Sequence, residues 1–344
     1  MQRARRFRSV VALSGILSIA LVLEILAGLI PDNSYLRFQL LKNTFHASVP
    51  WIYERIHFDD RPIDIALVGP SRTWLGVSPV RMETDLRQRG LSASVVNFSL
   101  PQEGRNENYV IIKELLKTNR RPKLLVLGVH EKPPRFGHPA FKYIADAGDV
   151  ARAAYLVNFN YFSDLIYLPF RQMKLAAMRL FPSEFNVTLR FNPDSYQGSN
   201  YDTTLSVRFL PAAFLNRDAT LPRTELLTQA TRWARSQTPP LLPVMAADLE
   251  FGDENFYIRK IVQLAEAKGV MIAFLYIPYF SGPEKPLEEA FYAQYGPVFD
   301  ASFVADQDKL YQDYAHLNRT GAFMLTDWLS DRVALLLARD EDAK

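Results

Sequence analysis

Cysteine does not occur among the 344 residues. Its absence excludes a disulfide framework, a thiolate nucleophile and any cysteine-ligated metal, and it leaves the redox compartment unread. Histidine is scarce: His46, His57, His130, His138 and His316 are the five present. No two of them have the spacing of a zinc-binding helix, so no metal and no other cofactor is expected. Acidic residues are nearly missing at the start, where Glu24 is the only one before Asp32, against Arg3, Arg5, Arg6 and Arg8. With residues 1–30 set aside, acidic and basic residues balance, so the formal net charge of +3 belongs to the tail. A neutral body lacks the basic face that nucleic acid requires, and no nucleic-acid partner is expected. Internal repeats and low-complexity segments are also absent.

The longest feature present is an apolar run over 9–30, long enough to cross a bilayer as a helix. The arginines before it would stay on the cytoplasmic side, so the rest should face the other compartment, tethered to an inner (cytoplasmic) membrane by a single span. A cleaved signal peptide is the rival reading. It would carry a shorter apolar region and a small-residue cleavage site, which Ala27-Gly28-Leu29-Ile30-Pro31 does not resemble. Glu24 inside the run must be protonated, reach the interface or meet another membrane protein.

Beyond the run, 31–62 reads as a connector with a helix over Tyr35–His46. A β-α-β-α-β rhythm then begins: strands at 63–68, Ser94–Phe98 and Leu124–Val129, with helices at Pro79–Arg89 and Asn106–Thr118. That alternation predicts an α/β fold with a doubly wound, mostly parallel sheet between two helical layers. The rhythm fails over 132–244. There a helical, aromatic-rich stretch (140–181, with Phe141, Tyr143, Tyr155, Phe159, Tyr161, Phe162, Tyr167 and Phe170) precedes a loop-like one rich in Asn, Ser, Pro and Asp (182–222). We read it as a large insertion capping the sheet's active edge. Its aromatics, at helical spacing, are expected in a core; stacking on sugar rings is the functional alternative. The stretch Phe170–Phe181 is amphipathic enough to lie on a membrane surface. The body resumes with a helix at Asp253–Ala267, a strand at Val270–Ile277, a short strand or turn within Tyr292–Phe303, and a helix at Thr320–Arg339. The expected organisation is a basic tail (1–8), an anchor (9–30), a connector (31–62), an α/β domain in two pieces (63–131 and 245–344) and the insertion.

Two stretches carry chemistry. In the first, a buried apolar strand runs into Gly69-Pro70-Ser71, which sets a hydroxyl at the strand's carboxyl end as the cap of the following turn or helix. Open α/β sheets keep their sites at that edge. In the second, Asp313-Tyr-Ala-His316-Leu-Asn318 stands just before the last helix. A serine needs a base to take its proton, and the base needs a third group to hold it. His316 is the natural base, and Asp313, three residues earlier, reaches its other ring nitrogen if the segment turns.

These residues resemble the SGNH/GDSL hydrolase superfamily, more closely its membrane-anchored branch related to alginate O-acetylation proteins and to the DltD protein of teichoic-acid D-alanylation. The resemblance covers roughly 63–131 and 245–338 and the anchor-then-domain layout, but not the insertion. It implies Ser71 as nucleophile with Asp313 and His316 completing the triad. Its oxyanion donors transfer less directly. Ser99 or Gly104 stands where the family has a glycine after the second strand, and His130 where it has an asparagine after the third. His130 is then either an imidazole N–H donor or a ring hydrogen-bonded at a strand end. Pro70 replaces the usual Asp or Ser before the nucleophile. The departures leave open a working site with altered donors, an unusual acyl group, or a site that has lost activity. Arg72 either holds an anionic or hydroxyl-rich ligand or forms a surface ion pair, and Asn318 joins the substrate-binding candidates.

The first expectation is therefore an anchored serine O-acyltransferase, moving an acetyl-like group on a cell-envelope or exported polysaccharide beside a multi-spanning membrane acyltransferase. An esterase of the same fold is the second expectation. A non-catalytic scaffold or glycan-binding subunit is the third.

Overall fold

Runs of β-branched and aliphatic residues with no polar break form strands that are buried on both faces. The computed structural model describes residues 33–154, 158–210, 213–243 and 246–342, with 14, 15, 18, 19, 22 and 31. Its central sheet comprises β1 (Ile65–Val68), β2 (Val95–Asn97), β3 (Leu124–Val129), β6 (Met271–Tyr276) and β7 (Val298–Asp300), in the order β2-β1-β3-β6-β7. Every pairing in it is parallel. The fold is α/β, consistent with a doubly wound sheet whose order reverses between β1 and β3.

Alternation along each strand splits the core in two. Ala66, Val68, Leu125, Leu127 and Phe274 face one side, under α2 (Val49–His57), α5 (Arg105–Lys117) and α8 (Gly252–Glu266). Ile65, Leu67, Leu124, Val126 and Leu275 face the other, under α4 (Pro79–Gln88) and α9 (Arg319–Asp342). All ten of these strand side chains are at most 1% exposed, so each face contributes on the order of 25 cal/mol per Å² of apolar area removed from water.

The segment 31–62 departs from expectation. Its first helix, α1, covers only Ser34–Gln39, and α2 follows at Val49–His57. Val49, Trp51, Ile52 and Ile56 of α2 are fully buried. A chain expected to bridge anchor and domain is thus part of the core, because its apolar residues recur at helical spacing and find the sheet. Within 132–244 lie the helix α6 (Tyr161–Leu180), an antiparallel hairpin β4 (Val207–Leu210) and β5 (Ala213–Leu215), and the helix α7 (Arg223–Ser236). Hairpin and α7 were not expected. Nor do the aromatics behave as one core set: Phe141 is buried, whereas Phe159, Phe162 and Phe170 stand in solvent, and Tyr155 lies outside the described residues. The predicted membrane span, 9–30, lies outside them at all but a few positions. Among the described residues no helix is long and apolar enough to cross a membrane.

Candidate active site

The nucleophile candidate is placed by a close approach of two strand ends. A Cβ at Gly69, just past β1, would stand 2.8 Å from the Gly128 Cα on β3; one at Gly128 would stand 2.0 Å from the Thr73 Oγ1. Two glycines therefore let the chain after β1 fold tightly over β3. Pro70 is extended and takes the cap position of α3 (Ser71–Gly76), its carbonyl accepting from the Thr73 and Trp74 N–H groups at 2.9 Å. Ser71 is thus the first residue of α3 and not its cap. Its hydroxyl is free to face outward.

That hydroxyl meets the imidazole. Ser71 Oγ lies 2.8 Å from His316 Nε2, and His316 Nδ1 lies 2.9 and 3.0 Å from the two Asp313 oxygens. With the carboxylate accepting, Nδ1 carries the proton and Nε2 accepts from the serine; the network assigns this tautomer. The turn between the two is held on itself: Tyr311 bridges Leu317, the Gln312 N–H donates to the His316 carbonyl, and Asp313 Oδ1 accepts from the Ala315 and His316 N–H groups. Burial alone would push the Asp313 carboxyl up. The bond and charge of His316, with those two backbone donors, outweigh it and hold the carboxyl below its ordinary range.

The other expected residues take varied places. Gly104, at the cap of α5, has φ +148°, and a Cβ there would stand 2.1 Å from the His138 N, so only glycine fits. Pro70, Gly104, Gly128 and His130 line one small cavity beside Ser71. Among the described residues the N–H groups of Ser71 and Gly104 have no protein acceptor. Ser99 departs from expectation, since its N–H donates to Asn97 Oδ1 at 3.1 Å and is spent. His130 Nδ1 lies 3.1 Å from Glu103 Oε1, and neither ring nitrogen makes a hydrogen bond of good geometry among the described residues.

Arg72 is not at the surface. It is buried, donates to Glu131 Oε2 at 2.6 Å and to the Ile277 carbonyl at 3.2 Å, and lies over the Tyr279 ring. Burial would raise the Glu131 carboxyl, but the Arg72 guanidinium and the His130 ring keep it well below the usual carboxylate range. Asn318 is also structural. Its Oδ1 accepts from the Gly321 N–H at 2.9 Å, its Nδ2 donates to the Lys309 carbonyl at 2.7 Å, and it caps α9.

Three residues escaped the sequence. Glu131 is the buried partner of Arg72. Asn97 Nδ2 donates to the Thr73 and Val77 carbonyls, fastening the far end of α3. Arg217 is buried between α3 and the Asp313 turn, donating to the Leu75 carbonyl and to Gln312 Oε1, each at 2.6 Å. Burial pushes its guanidinium down to about 10, against the pull of Asp313. Nothing local marks Arg217, which stands in a stretch expected to be loop. Gln102 adds backbone strain at the same rim: its φ of +74° is left-handed for a residue with a side chain.

No protein-family model matches the chain, and no curated protein matches it.

Proposed function

We propose that the chain is a membrane-anchored, SGNH-like serine acyltransferase on the non-cytoplasmic side of an inner membrane. It would transfer an acetyl-like group to or from hydroxyls of a cell-envelope polysaccharide. The observation that carries this reading is the continuous hydrogen-bond chain Ser71 Oγ–His316 Nε2, His316 Nδ1–Asp313, delivered by segments 245 residues apart.

Such a chain supports acyl transfer through a Ser71 ester. As Ser71 Oγ attacks an acyl carbonyl carbon, its proton passes to His316 Nε2, and Asp313 stabilises the imidazolium that results. The carbonyl oxygen becomes an oxyanion, for which the Ser71 and Gly104 N–H groups and the His130 ring are the donor candidates. The tetrahedral intermediate expels the donor's oxygen, which takes the proton from His316, and leaves a Ser71 ester. An acceptor hydroxyl then repeats the steps in reverse. Arg72 and Glu131 stay out of the chemistry and hold α3 against the sheet. His316 keeps 22% and Asp313 35% of the side chain exposed, which supports an acceptor too large for a closed pocket.

The test uses full-length protein and a chromogenic acetyl ester. Ser71→Ala should abolish ester release by at least about 10³-fold while the protein stays folded. Slow release that added glycan accelerates favours transfer; fast release into water favours an esterase. If Ser71→Ala leaves both ester release and envelope acylation unchanged, the reading fails and a scaffold role takes its place.

A further inference from the structure

Helix α6 is built inside out. Its buried side carries Asp164, Arg171 and Gln172 beside Leu175 and Met178. Its solvent side carries Phe162, Ile166, Phe170 and Leu180, each 57–72% exposed. At 3.6 residues per turn these four fall within an arc of about 80°, opposite the buried side. Phe159 and Phe136, in ring contact at 5.6 Å, extend the stripe toward the loop that follows β3 and His130. Water-facing surface helices show the reverse pattern, and a contiguous apolar patch of this kind marks something it meets.

What it meets follows from where the chain goes. Asn33 caps α1, its Oδ1 accepting from the Leu36 N–H, so α1 starts directly after the apolar run 9–30. Leu36 and Leu40 then pack against Leu175 and Met178 on the buried side of α6. The run therefore joins the folded body at α6. A run of this length suits a bilayer span, and a body joined so closely holds its nearest face at the lipid surface. Lys174, one turn after Phe170, borders the stripe and is exposed, a cation placed to meet anionic headgroups.

We propose that α6 is a monotopic docking helix, its Phe162–Leu180 stripe lying in the interface of the same bilayer that residues 9–30 enter. The inference rests on the membrane attachment in the function proposed above and not on its chemistry.

The lack of cysteine makes the test direct. Full-length Phe162→Cys, Phe170→Cys and, on the remote helix α9, Leu335→Cys would each carry an environment-sensitive fluorophore. Each would be reconstituted in phosphatidylethanolamine/phosphatidylglycerol vesicles containing a lipid-borne quencher. The two α6 labels should shift to the blue and lose emission about twofold, as expected for groups roughly 5–10 Å below the headgroups, while the Leu335 label does neither. Flotation with vesicles without that quenching overturns the docking alone. Labels shielded from an aqueous quencher but not reached by the lipid-borne one also overturn it. Shielding that grows with protein concentration then identifies a second copy, and constant shielding identifies the chain's own 9–30 segment. Failure to float overturns both the attachment and the docking and leaves the Ser71→Ala result to judge the chemistry.

Discussion

At the scale of single residues, the site depends on a tautomer. The Asp313 carboxylate accepts from His316 Nδ1 and so leaves Nε2 free to take the serine proton. In Asp313→Asn the amide N–H groups would favour the opposite tautomer, with geometry nearly intact. The expected loss in kcat is about 10²–10⁴-fold, measured by ester release, with Ser71→Ala as the floor. Because the Asp313 carboxyl is held below its ordinary value, its stabilising contribution is complete above about pH 4 and is lost only as pH falls through the lower folded value. Asp253 has the opposite sign. It is buried, its Oδ1 accepts from Asn158 Nδ2 at 3.2 Å and its Oδ2 is without a partner, and burial raises its carboxyl to about 7. Between about pH 4 and 7 the unfolded chain ionises this group while the folded one keeps the proton, so folding loses stability as pH rises across that window. Asp253→Asn should leave stability at pH 4 unchanged and raise it at pH 8 by up to about 4 kcal/mol in denaturant titrations.

At the scale of elements, α3 and α9 hold the two halves of the site. α3 is fixed by Asn97 at its far end and by the Gly69–Gly128 approach at its start. The first turn of α9 is fixed by Asn318, two residues past His316. Asn318→Ala removes a helix cap and the bond to the Lys309 carbonyl. It should cost about 1 kcal/mol in stability and lower kcat several-fold with KM little changed, because the Asp313–His316 turn loses its downstream anchor; steady-state kinetics beside thermal unfolding checks both. Most of these elements were legible. Strands β1, β2 and β3 and helices α4, α5, α8 and α9 follow from uninterrupted apolar runs and helical periodicity with Gly or Pro at their ends. Helix α2, hairpin β4–β5 and helix α7 were not, since they lie in stretches that read as connector or insertion and their burial comes from distant partners such as Trp74 against Val207.

At the scale of the whole molecule, the inserted segment is stitched to the site. Arg217 spans the Leu75 carbonyl of α3 and Gln312 beside Asp313, and the Arg319 N–H donates to the Arg217 carbonyl. Arg217→Ala would leave buried acceptors unpaired on both halves of the triad. It should destabilise the protein by about 3 kcal/mol and lower activity beyond what the stability loss explains, read by assaying well below the melting point. The sequence by itself determined the parallel sheet, and the two stretches that carry Ser71, Asp313 and His316, because strand periodicity, breaker residues and residue chemistry are local properties. It also singled out Gly104 and His130, which line the cavity beside Ser71. Only the tertiary structure decided that Ser71 yields the cap to Pro70, that Ser99 spends its N–H on Asn97, that Arg72 is buried against Glu131, that Asn318 caps a helix, and that the aromatic stripe of α6 faces outward. Each of those outcomes turns on which distant group competes for the same hydrogen bond or the same apolar surface, and that competition exists only once the chain has folded.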